Sequence, residues 1–265
     1  MHQRIILPSN HGLLVTLFLL LSFISLQASA QAKGKLVIII DDIGYNLPLG
    51  KRAAELPGAI TYAVLPHTPV AKKLAFYAAS NSPRKEIMLH MPMEAMQTKA
   101  LGEGGLLAEQ THSEFIQALE SAFNSIPFAK GLSNHMGSRL TALPDRMEWL
   151  MQALNEKDLY FVDSKTTRRS TAKTAANNSN VPYLARDFFL DHDPSPNAIR
   201  DTFKRAQLTA ATQGLAIVLA HPYKQTLDFL EQTLPDIEKQ GLQMINVSEA
   251  LQLLDAQRKL ALQEP

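Results

Sequence analysis

From Lys35 onward, short apolar runs rich in β-branched residues alternate with longer stretches of helical period. That is the pattern of parallel strands joined by crossover helices. Eight runs read as strands: Leu36–Ile40, Ile60–Leu65, Glu86–Met91, Ala129–Asn134, Leu159–Val162, Pro182–Leu190, Leu215–Ala220 and Leu242–Val247. LVIII in the first and LAIVLA in the seventh are apolar without alternation, as expected where both faces of a parallel strand are covered.

The stretches between them carry helix signals. Thr111-His112-Ser113-Glu114 is a T-x-x-E capping box ahead of the periodic run Phe115, Leu119, Ala122, Phe123. Pro144 stands where a first-turn proline belongs, before the stripe Met147, Leu150, Met151, Leu154. Gly214 is placed to end a helix begun near Pro196, Gly241 one begun near Gln225, and Ser248 to cap the last. Met96–Gly105 and Thr166–Val181 are irregular and long enough to be loops around a site.

Composition narrows the class. With 46% hydrophobic and 19% charged residues, the chain of 265 can bury a sizeable core, which excludes disorder and collagen-like repeats. A formal net charge of +1 leaves no electrostatic footprint for a nucleic-acid backbone. The absence of Cys removes disulfide scaffolds, thiolate zinc ribbons and cysteine nucleophiles, and leaves any metal site to His and carboxylates.

The N-terminus accounts for one long apolar run. Arg4, the stretch Leu13–Leu26 and the A-x-A triplet Ala28-Ser29-Ala30 have the layout of a secretory signal peptide cleaved after Ala30. The run is shorter than the roughly 20 residues that span a bilayer comfortably, so no stable membrane span is expected after cleavage. The expected organisation is a signal peptide over 1–30 and one domain over 31–265, exported to the periplasm.

Parallel α/β folds build their sites at the C-terminal ends of strands, and those ends are rich in ionisable and polar groups here. The first run ends in Asp41-Asp42, the third in His90 followed by Met91-Pro92-Met93-Glu94, and the fourth in Asn134-His135-Met136-Gly137-Ser138. The fifth ends in Asp163-Ser164, the sixth in Asp191-His192-Asp193, and the seventh in His221-Pro222. Oxygen and imidazole donors on separate strands suit a divalent metal, with zinc the usual choice for mixed His and Asp.

The phrases IIIDDIGYN, LHMPME, GLSNHMGSRLT, LYFVDSKT, FFLD and AHP occur in this order across nearly the whole chain after residue 30. Together they resemble the divergent polysaccharide deacetylases, the YibQ-like branch of the NodB-type carbohydrate esterase superfamily. The resemblance implies a distorted (β/α) barrel of about seven parallel strands, in agreement with the alternation above.

The resemblance also implies roles. Asp41 resembles the catalytic base and Asp42 the metal-binding aspartate. Neighbours leaving a strand point in opposite directions, so the pair needs a bend, for which Gly44 is suited. Asp42 reads alternatively as a cap of the next helix. His90 stands at the place of the superfamily's first metal histidine. The usual H-S/T-x-x-H pattern is broken, with Met91 in its second place and Glu94 in its fifth. His135 resembles the divergent branch's replacement ligand, with Glu94 in reserve, and the superfamily's R-x-P-type motif is absent. His221 resembles the general acid, or else packs under the Pro222 turn. Asp163 and Asp191 are placed to orient His221 or to bind a sugar hydroxyl, or serve as caps. Asn134 and Arg139 stand beside the site as substrate or supporting residues. Arg139 and the basic run Lys165 to Arg169 suit either a glycan or a solvated loop. Tyr45, Tyr62, Tyr160, Tyr183 and Trp149 are too scattered for a sugar-stacking platform, and Trp149 reads as core.

The activity implied is metal-dependent removal of acetyl groups from a cell-envelope polysaccharide. The alternative is a non-catalytic glycan- or protein-binding module on the same fold, acting in cell-wall remodelling, which the broken motifs favour. No protein partner is legible in the chain.

Overall fold

Residues Leu36 to Ile40 are wholly shielded from solvent, and each such aliphatic side chain contributes about 1.5–3 kcal/mol over an exposed position. They form the centre of β1 (Gly34–Ile43). The computed structural model describes residues 34–82, 84–97 and 100–263; the signal-like segment 1–30 lies outside them. Around β1 the chain winds β2 (Ile60–Val64), β3 (Lys85–Met93), β4 (Ala129–Met136), β5 (Tyr160–Asp163), β6 (Tyr183–Ala185), β7 (Phe188–Phe189), β8 (Leu215–Ala220) and β9 (Leu242–Met244). The helices are α1 (Leu47–Glu55), α2 (Ala71–Asn81), α3 (His112–Ser125), α4 (Pro144–Asn155), α5 (Ala172–Asn178), α6 (Pro196–Gln213), α7 (Lys224–Thr233) and α8 (Val247–Ala261).

All the strand pairings are parallel, in the order β6-β5-β4-β3-β2-β1-β8-β7. The expected α/β barrel is present, and its distortion has a definite origin. The run Pro182–Leu190, read as one strand, is two. Tyr183–Ala185 pairs with β5 and Phe188–Phe189 with β8, at opposite ends of the sheet. Between them Arg186 N–H donates to Asp163 O and Asp187 N–H to Ile217 O, so the wall closes through a two-residue jog. At the lower end of the wall β9 pairs with β1 only over Gly34–Leu36 and leaves the same edge of β1 to β2 from Ile39.

The period-2 rule divides the core into two layers. Ile38, Ile40, Tyr62, Leu89 and Phe161 face the helices. Val37, Ile39, Ala63, Met88, Val162 and Leu219 fill the barrel interior together with Val247 and Ala250 of α8. The first turn of α8 closes the barrel floor: Val247 N–H donates to Thr61 Oγ1 at 3.2 Å and Ser248 N–H to Glu86 Oε1 at 3.1 Å. Tyr160 OH reaches the same Glu86 oxygen at 2.9 Å. Its ring lies where a Cβ on Gly131 would stand, so only glycine at 131 lets it cross.

The Thr111 capping box, Pro144 in a first turn and the left-handed Gly214 (φ 87°) after α6 are all present. Three expectations are corrected. α7 stops at Thr233, because Pro235 cannot donate to a continuing helix, and two 3₁₀ turns carry the chain to Gly241. Asn246 rather than Ser248 caps α8, with Glu249 completing its box. The stretch Thr166–Val181 contains α5, whose Ala172, Ala175 and Ala176 are buried.

Candidate metal centre and its surroundings

The inward side of each strand sets the upper rim of the barrel. Ile39 and Met88 face the interior, so Asp41 and His90, two residues further on, do too. Asp42 should then point away. Its own backbone lies in the left-handed region at φ 58°, where the β1/β2 register slips between Ile40 and Ile43. The bend therefore sits in Asp42 itself, one of the residue types that tolerate this region, with Gly44 (φ 148°) following. Both carboxylates thus reach one site.

Asp42 Oδ1 lies 2.8 Å from His135 Nδ1 and 3.3 Å from His90 Nε2. One donor atom from each of Asp42, His90 and His135 fits within 4.8 Å of the others. Although Asp42 Oδ1 is buried between two imidazoles, no donor meets it with hydrogen-bond geometry. Converging lone pairs from one carboxylate and two imidazoles, with an oxygen left unsatisfied, fit a divalent cation. His90 Nδ1 is 2.7 Å from Ser133 Oγ, which fixes its ring. Ser133 was not singled out in the sequence; its signal is the inward parity it shares with His135.

Asp41 is 2% exposed, its Oδ1 has no partner, and its Oδ2 is 3.8 Å from His90 Nε2. Burial pushes its carboxyl up, against the pull of His90 and His221, and the negative Asp42 adds to the rise. For Asp42 burial acts in the same direction, but contact with His135 and His90 outweighs it and holds the carboxyl well below the usual range. On the other side of the site, His221 Nε2 is 3.6 Å from Asp42 Oδ2 and its Nδ1 is 2.9 Å from Asp191 Oδ1. Burial opposes charge on His221, yet Asp191, helped by Asp41 and Asp42, raises its pKa. Tyr223 stacks on the His221 ring, with centroids 5.0 Å apart.

The remaining predicted residues divide. Asp191 orients His221; Asp163 does not, because its oxygens accept Lys165 N–H, Ser170 Oγ–H and Tyr183 O–H. Glu94, the reserve ligand, is outside the cluster. It is bound by the Arg139 guanidinium and by Ala108 N–H, while Arg139 also holds Glu109. This clamp joins the segments after β3 and β4. Asn134 accepts Ser164 N–H and donates to Met136 O, bracing the turn that carries His135. Trp149 is half-buried, with the Arg146 guanidinium 4.0 Å above its ring.

Beside Asp42 and His135 is a cavity of about 250 Å³, with walls that include Tyr45, Leu65, Pro92 and Leu101. Ala100 to Glu103, from the stretch expected to be a loop around a site, line this cavity.

A family profile described as "Divergent polysaccharide deacetylase" matches residues 38–251. The chain is 36% identical over 223 residues to the uncharacterized protein YibQ of Escherichia coli K12, spanning 82% of this chain and 69% of that one. It is 34% identical over 206 residues to an uncharacterized Haemophilus influenzae protein, spanning 78% of this chain and 73% of the other. The crystal structure of an uncharacterized protein from Agrobacterium tumefaciens C58 has the same fold, with a TM-score of 0.78 at 20% identity over 82% of this chain and 89% of that one.

Proposed function

The chain belongs to the divergent polysaccharide deacetylase family, and from that premise we propose that it is a metal-dependent hydrolase removing acetyl groups from a cell-envelope polysaccharide. The observation that carries this reading is the convergence of Asp42, His90 and His135 between a buried carboxylate, Asp41, and an imidazole held by a second carboxylate, His221. Asp42, His90 and His135 would hold the ion, with zinc matching the donor set. A bound divalent ion supplies Lewis acidity toward the acetyl carbonyl and lowers the pKa of water from about 16 toward about 7.

The chain's own groups supply the proton transfers. Asp41, shielded from water and left with a free oxygen, is the proton acceptor for the attacking water. Asp191 favours the protonated form of His221, which donates its Nε2 proton to the departing sugar amine or hydroxyl. The cavity at Asp42 is below the roughly 300 Å³ at which drug-sized pockets begin, in keeping with a small pendant acyl group. The signal-like segment 1–30 supports export to the periplasm.

Acetate release from acetylated envelope polysaccharides by zinc-loaded protein tests this reading. Release that disappears in Asp41→Asn supports it. Retention of metal with no release from any acetylated glycan would replace it by the binding-module alternative.

A further inference from the structure

A second groove, of about 740 Å³, lies along the seam where β6 gives way to β7. Four cations line it, Lys165, Arg168, Lys173 and Arg186, against two carboxylates, Asp163 and Asp187. Both acids have internal donors. Asp163 is occupied as described above, and Asp187 Oδ2 accepts Ile217 N–H at 2.9 Å. Lys165, Arg168 and Lys173 make no ion pair among the described residues. The groove therefore carries uncompensated positive charge in a protein of near-zero net charge.

The loop that presents this charge is not a loose one. Lys165 sits at φ 47°, in the left-handed region that non-glycine residues rarely adopt. It is held there from both sides, its N–H by Asp163 Oδ1 and its carbonyl by the Arg186 guanidinium, whose Nε also binds Ser164 O. Thr166 Oγ1 donates to Met136 O, and Thr171 N–H to Thr141 O. The loop backbone that carries Lys165 and the Arg186 guanidinium are thus fixed in advance, which lowers the ordering cost of binding. The same bonds tie the loop to the turn that carries His135, through Met136 and through Asn134. At its far end the groove reaches Gln213, just before β8.

We propose that this groove binds the anionic stretch of a polysaccharide whose acetyl group occupies the metal centre, so that the substrate class is an acidic, acetylated glycan. This rests on the hydrolase reading for the role of the bound chain. The binding itself needs only the groove. The recognised chemistry is carboxylate or phosphate ester on a sugar.

Isothermal titration of the full chain with a hyaluronan tetrasaccharide, an acetamido sugar polymer with carboxylates, and with neutral chitotetraose tests it. The acidic tetrasaccharide should bind about tenfold more tightly at low salt, and the preference should shrink at 0.5 M salt. Lys165→Ala, Arg168→Ala and Lys173→Ala combined should abolish the preference; Lys165→Arg with Lys173→Arg should keep it. These side chains are exposed, so folding should survive in both. If N-acetylglucosamine 1-phosphate competes where hyaluronan does not, the charge recognition stands and the ligand is a phosphate ester. Equal binding of the acidic and neutral tetrasaccharides with no effect of the phosphate, or a preference that survives the triple substitution, overturns the proposal. Acetate release separates the two readings: preference with no release from these probes or from any acetylated envelope polysaccharide refutes hydrolysis and not the groove, whereas release without preference refutes the groove alone.

Discussion

Asp191 holds His221 twice: its Oδ1 lies 2.9 Å from the imidazole Nδ1, and its Oδ2 accepts the backbone N–H of the same residue at 2.7 Å. Thr226 Oγ1 donates to that second oxygen at 2.8 Å. Ring and backbone are therefore fixed by one buried carboxylate. Asp191→Asn keeps the shape and removes the charge that favours a protonated His221. Turnover should fall by roughly 10²-fold or more, while metal content, read by elemental analysis, stays that of the parent. Unchanged turnover would remove His221 from the proton transfer.

The acidic pair should fail in two different ways. Asp41 Oδ1 has no partner, so Asp41→Asn breaks no bond there and removes a buried charge that is costly to keep. The variant should retain metal, unfold in its metal-free form no earlier than the parent, and lose about 10²-fold or more in acetate release. Asp42→Asn should lose metal and activity together. Asparagine accepts the left-handed backbone at 42, so circular dichroism should show an intact fold. Metal loss in the first variant and retention in the second would exchange the two roles.

Ser133 Oγ is 2.7 Å from His90 Nδ1 and so leaves Nε2 of that ring to meet Asp42. Ser133→Ala should weaken zinc binding by about 10–100-fold, measured by competition with a chromogenic chelator. Thermal stability without metal should change little. Equal affinity in parent and variant would mean that the packing around His90 alone fixes its ring.

One stability prediction lies away from the site. Burial, with Arg84 adding like charge, pushes Lys85 down to about 8, against about 10.4 in an unfolded chain. Between these values the unfolded state binds more protons, so this residue's contribution to stability rises with pH across the window and is lost as pH falls through about 8. After allowance for solvent screening the change is roughly 1–2 kcal/mol. Urea denaturation of the parent and Lys85→Met at pH 7 and pH 10 should show this difference narrowing at the higher pH. A constant gap would show that Lys85 titrates normally.

The regular part of the molecule was legible because its signals are local. The apolar runs announce buried parallel strands, and Thr111, Pro144 and Gly214 punctuate helices by their own backbone chemistry. The jog at Arg186-Asp187 was not legible. Pro182–Leu190 satisfies the strand pattern throughout, and only the competing edges of β5 and β8 divide it. In the site, the strand ends point to Asp41, Asp42, His90, His135 and His221. The bend at Asp42 and the diversion of Glu94 to Arg139 depend on contacts between segments remote in sequence. Choosing Asp191 over Asp163 as the partner of His221 also needed the fold, since both are aspartates ending a run.

The closed floor under the barrel makes the site a blind well. Beneath Asp41 and His90 the interior is filled by aliphatic side chains down to the first turn of α8, so nothing can thread through and whatever enters must leave by the same mouth. A long polymer cannot be fed along the barrel axis. On the proposed reading, it would lie across the opening with its acetyl group lowered toward Asp42 and His135.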